Sequence, residues 1–272
     1  MKIAVVTTFS PEGWAQYAHR MVASFDLYWP REVDLFVYLD KDVALMGPKA
    51  GRARVFLHDD TPGLRKFKTK HDAPVYHGRA GGRYDYRMDV VKFCHKPFAV
   101  WDFLCNRNCV LGYDKVIWMD ADTITHRDVP LDVVETKMCL PGVDFLYLGR
   151  DHKYSECGFM VFDGGEPAMD YMTEVIRFYA KGRFRYENEW HDSFLFDRAR
   201  TKLEAKNHLK AHNLTAGLNR TNGGGHPFNT SFLGLYMSHQ KGKRKVRGDR
   251  PTDNPAGHDT PYWNSLTKGA RP

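Results

Sequence analysis

The chain has 272 residues, 42% of them hydrophobic and 14% aromatic, which is enough apolar material for one large core and excludes a disordered protein. Its net charge is +7, so an anionic ligand is expected wherever that charge concentrates. Residues 241–250 hold the densest basic cluster, opposed only by Asp249: Lys241, Lys243, Arg244, Lys245, Arg247 and Arg250.

The cysteines exclude two further classes of protein. Their number is odd and no C-x-x-C spacing occurs, which argues against a disulfide framework and against a zinc cluster. The first residues do not have the layout of a signal peptide, and no apolar stretch approaches the roughly 20 residues that span a bilayer. We therefore expect a soluble, cytoplasmic protein with reduced thiols.

In the first half of the chain, short apolar runs alternate with helical patterns. Strands are predicted at residues 2–9, 33–39, 53–57 and 115–119, and helices at 14–29 and 87–104. The glycine and lysine content of residues 61–82 predicts a mobile loop that closes over a ligand. This alternation is typical of a parallel sheet with ligands at the carboxyl ends of its strands.

The second half is more mixed. It offers strands at residues 145–148, 158–162 and 233–239, and helices at 168–181 and 191–205. We predict an α/β fold, one domain over residues 1–272, with a mostly parallel central sheet and helices on both faces.

Two carboxylates follow the buried strand at residues 115–119. Asp120 and Asp122 are two residues apart where the strand leaves the sheet, so both can face one ligand. Hard oxygen ligands of this kind hold divalent cations, which neutralise charge on a leaving phosphate. The pattern also occurs at Asp40-Lys41-Asp42, and turn chemistry alone accounts for many such pairs.

A second motif lies far downstream, at His239-x-x-Gly242-x-x-Lys245. The histidine can complete a metal site with Asp120 and Asp122. The glycine allows the backbone to approach a phosphate closely, and Lys245, with Lys241 or Arg244, places positive charge on it. Alone, each of these residues is more simply an ordinary polar surface group.

Together these motifs resemble the GT-A class of nucleotide-sugar glycosyltransferases, especially the family-eight type that includes glycogenin and bacterial lipopolysaccharide galactosyltransferases. The resemblance covers most of the chain. It implies that Asp120, Asp122 and His239 hold Mn²⁺ (or Mg²⁺), and that Gly242 and Lys245 contact the donor diphosphate. It also divides the domain into a nucleotide-binding half (1–122), a sugar and acceptor half (123–250) and a C-terminal extension (251–272).

Two positions differ from that family. Val246-Arg247 stands where the family has proline and tryptophan, and Thr7-Thr8-Phe9 stands where several members grip uridine with an Asp-x-Asn-Tyr arrangement. We still expect Thr7, Thr8 and Phe9 to contact the donor, with Asp40 near its nucleoside.

Further candidates come from charged residues in the helices and at strand starts. Arg87 and Lys92, on a stripe that could equally face solvent, are predicted to touch donor phosphate or sugar, with Lys92 in a catalytic role. In similar GT-A enzymes the segments at the positions of Glu156 and Asp192 line the sugar and acceptor pocket, so the resemblance implies that these two residues line the catalytic sugar pocket, although Asp192 could simply cap a helix. His191 would serve as general base if the reaction inverts.

The resulting hypothesis is a metal-dependent glycosyltransferase that moves a sugar from a nucleotide-diphosphate donor, a UDP-sugar, to a hydroxyl of a carbohydrate acceptor. One alternative is a transferase that glycosylates a hydroxylated base in DNA, which would use the basic cluster and extrude its target base. The others are a non-enzymatic nucleic-acid-binding protein and a nucleotidyltransferase.

Overall fold

A computed structural model describes residues 1–40, 52–151, 153–216 and 226–248. Asp42 of the second Asp-x-Asp pattern, Arg250 of the basic cluster and the predicted extension at 251–272 lie outside these residues. Within them, no helix is long and apolar enough to cross a membrane.

The described residues form a seven-stranded sheet. Its strands are β1 (Ile3–Thr8), β2 (Val33–Leu39), β3 (Arg54–Leu57), β4 (Lys115–Met119), β6 (Phe145–Arg150), β7 (Lys153–Asp163) and β8 (Ala211–Asn213). Their order across the sheet is β3-β2-β1-β4-β7-β6-β8. Neighbouring strands are parallel from β3 to β4 and between β6 and β8, and β7 runs antiparallel to both β4 and β6. The prediction of an α/β fold with a mostly parallel sheet is confirmed.

Helices cover both faces of this sheet, because its central strands are apolar on both sides. In β1, Ala4 and Val6 belong to one buried cluster while Ile3 and Val5 belong to the other. On the Ala4 side lie Leu64–Lys70, Val90–Phe93, His95–Asp102, Glu166–Ala180 and Asp192–Glu204. On the Ile3 side lie Pro11–Gly13, the π-helical Trp14–Ala18, His19–Tyr28, Leu131–Val133, Val134–Met138 and Pro227–Thr230.

The long helix predicted at 87–104 is interrupted. It starts at Val90, breaks at Cys94 and resumes at His95, continuing through Phe103–Arg107 and Asn108–Leu111. Pro97 explains the break, because proline has no amide hydrogen to donate to the carbonyl four residues earlier.

Residues 61–82 are more ordered than the predicted mobile loop. Leu64–Lys70 is a helix and Pro74–His77 is a 3₁₀ turn. Leu64 and Phe67, three residues apart, are buried, and the Phe67 ring lies 5.6 Å from that of Tyr179. The expectation of an unpacked loop is wrong for this part, because two apolar side chains anchor it against the core.

The last strand is shorter than the predicted 233–239 and lies outside the main sheet. Phe232–Leu235 is a 3₁₀ turn, and β9 (Met237–His239) pairs antiparallel with β5 (Thr123–Thr125), a strand that the sequence did not indicate. In this register His239 lies opposite Thr123, next to Asp122. The two motifs are therefore brought together by a two-stranded ribbon.

Candidate metal and donor site

A cleft of about 1720 Å³ opens at the carboxyl ends of β1 and β4, where the strand order reverses direction. Ligands of open α/β sheets bind at this position. Nearly all of the predicted site residues line it: Thr8, Phe9, Asp40, Arg87, Lys92, Asp120, Asp122, Glu156, Asp192, His239, Lys241, Gly242 and Lys245. Thr7 does not line the cleft, because its side chain is fully buried within the sheet.

Asp120, Asp122 and His239 present one ligand atom each to a common point, all within 4.8 Å of one another. The imidazole Nε2 of His239 lies 2.9 Å from Asp122 Oδ1 and 3.7 Å from Asp120 Oδ2. Two carboxylates and one imidazole at these separations fit a divalent ion such as Mn²⁺, which accepts both oxygen and nitrogen ligands. The residues therefore fit the metal that the motif implies.

Lys245 faces the same carboxylates. Its Nζ lies 2.5 Å from Asp122 Oδ2. Burial opposes ionisation of Asp122, but His239 and Lys245 outweigh it and hold the pKa of that carboxyl well below its usual range. Gly242 has a φ of +57°, a left-handed conformation that favours glycine, at the turn leading into Arg244–Arg247.

Lys96, which the site prediction missed, lies at the centre of the cleft. Its Nζ is 2.9 Å from Asp120 Oδ1, 2.7 Å from Asp192 Oδ2 and 2.9 Å from the carbonyl oxygen of Cys157. Burial would lower the pKa of this ammonium, but Asp120 and Asp192 raise it well above its usual value. Lys96 thus stays charged and joins two of the candidate site carboxylates, Asp120 and Asp192.

Lys92 and Arg87 occupy the rim instead. The Nζ of Lys92 lies 3.2 Å from the Tyr84 hydroxyl, and Arg87 is paired with Asp85 at 2.8 Å. Lys96 lies one helical turn beyond Lys92 on the same charged stripe, and the prediction chose Arg87 and Lys92 rather than Lys96.

Glu156 is surrounded by basic groups. Its Oε2 lies 2.8 Å from His226 Nε2 and 3.1 Å from Lys241 Nζ, and it also contacts the guanidinium of Arg150. Burial and the neighbouring Arg150 lower the pKa of Lys241 to about 8. Glu156, His226 and His239 form a second group of close ligand atoms. Here Arg150 and Lys241 already supply the positive charge that a cation would bring.

Asp192 begins the helix Asp192–Glu204 and also serves the cleft. Its Oδ1 accepts a hydrogen bond from the amide of Ser193 at 2.8 Å, and Oδ2 contacts Lys96. Burial opposes its ionisation, but Lys96 and His191 outweigh burial and hold the pKa of Asp192 below its usual range. The N-cap position belongs to His191, whose side chain makes no capping hydrogen bond, so Asp192 is not the helix cap that the sequence allowed.

The opposite end of the cleft, at β1 to β3, has fewer ionisable groups, with Asp40 and Lys68 among the residues that line it. The Thr8 hydroxyl donates to the Tyr38 carbonyl at 2.8 Å, so the contact of 2.7 Å with His58 requires His58 Nε2 to be the donor. Burial, with His95 and Lys68 nearby, lowers the pKa of His58 to about 3. Phe9 stacks on Trp14, with ring centroids 5.5 Å apart.

Comparison with known proteins gives distant likenesses only. No protein-family profile and no curated protein matches this chain. The bifunctional glycosyltransferase WbbM is similar at 12% identity and a TM-score of 0.45, over 78% of this chain and 38% of WbbM. Mouse xyloside xylosyltransferase 1 is similar at 12% identity and a TM-score of 0.44, over 80% of this chain and 86% of that protein. The glycosyltransferase GlyE of Streptococcus pneumoniae is similar at 13% identity and a TM-score of 0.42, over 78% of this chain and 45% of GlyE.

Proposed function

We propose that this protein is a metal-dependent glycosyltransferase of the GT-A type that transfers a sugar from a nucleotide-diphosphate donor to a hydroxyl group. The observation that carries the proposal is the convergence of Asp120, Asp122 and His239 at the end of β4, with Lys245 2.5 Å from Asp122. A cation binding set and a phosphate-binding lysine at one point suit a leaving diphosphate.

The chemistry is a displacement at the anomeric carbon. The acceptor oxygen forms a bond to that carbon, the bond from the carbon to the diphosphate oxygen breaks, and the acceptor proton is released. A divalent ion, when bound by Asp120, Asp122 and His239, would stabilise the negative charge on the departing diphosphate. Lys245 would place a second positive charge beside the departing diphosphate. The left-handed turn at Gly242 would allow the backbone to approach the same diphosphate closely.

Lys96 would keep Asp120 and Asp192 in fixed positions. Its ammonium contacts both carboxylates at less than 3 Å, so the metal ligand and the sugar-pocket carboxylate move together. Asp192 and Glu156 would then accept hydrogen bonds from the donor sugar hydroxyls. Thr8, Phe9 and Asp40 line the end at β1 to β3, where the nucleoside would lie. The resemblance in sequence makes UDP-sugars the first donors to test.

The basic cluster supports this enzyme over a non-enzymatic nucleic-acid-binding protein. Lys241 and Lys245 point into the cleft and contact Glu156 and Asp122. Two of the charges that would form a nucleic-acid footprint are therefore used to balance buried carboxylates.

The test is a screen of nucleotide sugars for slow donor hydrolysis, which needs no acceptor. We expect release of nucleoside diphosphate with Mn²⁺ and none with EDTA. Asp122→Asn removes one ligand charge with little change in shape, and should lower this rate by at least about 100-fold. Asp128→Asn, an exposed aspartate outside the cleft, is the matched control and should keep the wild-type rate. Undiminished hydrolysis by Asp122→Asn in EDTA would exclude the metal mechanism.

A further inference from the structure

Beyond Asp192, the cleft is walled by aromatic rings that the chemistry above does not use. Tyr86, Phe93, Tyr154 and Phe194 surround His191, with ring centroids 4.5 to 6.3 Å from its imidazole. All of them line the cleft. Tyr86 is 49% exposed and Tyr154 is partly exposed, so two ring faces remain available to a ligand. We call these four rings the aromatic wall.

The wall carries hydrogen-bonding groups along one edge. The hydroxyls of Tyr86 and Tyr154 lie 3.3 Å apart. Glu189 Oε2 lies 2.8 Å from His191 Nε2, and the Glu189 side chain is 22% exposed. The edge therefore offers hydroxyl and carboxylate groups beside flat apolar surfaces.

The wall is connected to the metal-binding end by a continuous chain of contacts. Lys96 bonds Asp120 and Asp192, and Asp192 Oδ1 lies 3.9 Å from His191 Nδ1. His191 in turn contacts Glu189 at its other nitrogen. The wall thus adjoins Asp192, the carboxylate that we propose for the donor sugar, so a ligand on the wall would lie next to that sugar.

Two guanidinium groups that line the cleft near the wall have carboxylate partners within the protein, whereas Lys92, over the Phe93 ring, contacts a tyrosine hydroxyl. Arg87 is paired with Asp85 at 2.8 Å, and Arg198 with Glu187 at 2.9 Å. A polyanion would gain little from these paired guanidinium groups and would meet the carboxylate of Glu189. A neutral ligand with an apolar face and several hydroxyls meets no such opposition.

We infer that the aromatic wall is the acceptor subsite and that it binds a neutral saccharide, with a sugar ring against Tyr86 and Tyr154 and a ring hydroxyl donating to Glu189. This inference rests on the proposed function for the role of the bound sugar, but not for its binding. Sugar rings present a face of C–H groups with partial positive charge, which packs on the negative face of an aromatic ring.

The test measures binding directly and without donor. Saturation-transfer NMR with a panel of neutral methyl glycosides and disaccharides should detect at least one ligand of the wild-type protein. Affinity for that ligand should fall by about tenfold or more in Tyr86→Ala and in Tyr154→Ala. Tyr186→Ala, which removes a 91% exposed tyrosine outside the cleft, is the matched control and should bind like wild type.

Glu189→Gln separates stacking from general disruption, because it keeps the shape and should weaken only sugars whose hydroxyl it contacts. Saccharide binding that survives both tyrosine variants, or the absence of any saccharide ligand, would overturn the inference. So would binding of a short DNA duplex that is lost in the same two variants. Donor hydrolysis is measured separately, so saccharide binding without hydrolysis would reject the proposed function while leaving this subsite standing.

Discussion

The end of the cleft at β1 to β3 carries few charges, with Thr8 bonded to the neutral imidazole of His58 and with Asp40 and Lys68 nearby, whereas the end at β4, β7 and β9 concentrates ionised groups. At the densely charged end four carboxylates each contact a cationic side chain: Asp120 and Asp192 contact Lys96, Asp122 contacts Lys245, and Glu156 contacts Arg150 and Lys241. The cleft therefore joins a sparsely charged pocket to a densely charged one within a single site.

This difference has a physical basis. Carboxylates placed side by side would raise one another's pKa unless cations balanced them, and in this cluster lysine and arginine side chains lie close enough to do so. A nucleoside brings no charge, and its pocket needs only hydrogen-bonding groups and stacking surfaces. The contrast thus matches the two parts of the donor that we propose.

The largest effect is expected from removing the central cation of the charged end. Lys96→Met would leave Asp120 and Asp192 without it, and loss of one partner of a buried ion pair costs about 3–5 kcal/mol of unfolding free energy. Urea denaturation followed by circular dichroism would measure this. Lys92→Met, on the exposed rim, is the matched control and should change stability by less than about 0.5 kcal/mol.

A double variant decides the cause of that loss. Adding Asp192→Asn to Lys96→Met removes one uncompensated carboxylate, so part of the lost stability should return. If the two substitutions were simply additive, charge balance would not be what Lys96 contributes.

A smaller effect is expected at the sparsely charged end, where acid should charge His58. Its folded pKa of about 3 lies below the unfolded value near 6.5, so its contribution to stability is complete above about pH 6.5 and is lost as the pH falls. His58→Gln, whose amide can still donate to Thr8, should make unfolding free energy less steep between pH 6 and 4. The maximum change for one proton is about 1.4 kcal/mol per pH unit. An unchanged slope would mean that His58 titrates normally.

The smallest effect is expected in the basic cluster outside the cleft. Arg247 is exposed, whereas Lys245 contacts Asp122. Lys245→Ala should weaken Mn²⁺-dependent donor hydrolysis by about tenfold or more, and Arg247→Ala should change it by less than about twofold. A gel-shift titration with duplex DNA at two salt concentrations tests the competing role. Tight, salt-sensitive binding that Arg247→Ala weakens would favour a nucleic-acid acceptor.

The sequence was sufficient for the strands that carry the nucleotide end. β2 and β4 have the predicted bounds, because unbroken apolar runs flanked by polar residues leave little choice of register. β5 and β8 have three residues each and contain polar side chains, so no periodicity marks them. The packed helix at Leu64–Lys70 was missed for the opposite reason: its basic composition concealed two buried anchors.

At the site, the sequence predicted the residues of the two local motifs, but it did not predict the side chains from other elements that contact them. Asp120, Asp122, His239 and Lys245 follow from spacing, and the structure brings them together. Lys96 and His226 were not identified, because each reaches the cleft through packing between elements distant in sequence. A lone lysine in a helical stripe carries no mark of which turn faces inward.

The ribbon of β5 and β9 also determines the order in which the site can assemble during synthesis. Every strand of the main sheet ends before residue 214, while His239 and Lys245 come later in the chain. The nascent protein can thus form its main sheet, with Asp120 and Asp122 in place, before His239 and Lys245 have been synthesised. Contacts of such long sequence separation form late because closing large loops is entropically costly. The competence to hold a cation would therefore be among the last properties that the folding chain acquires.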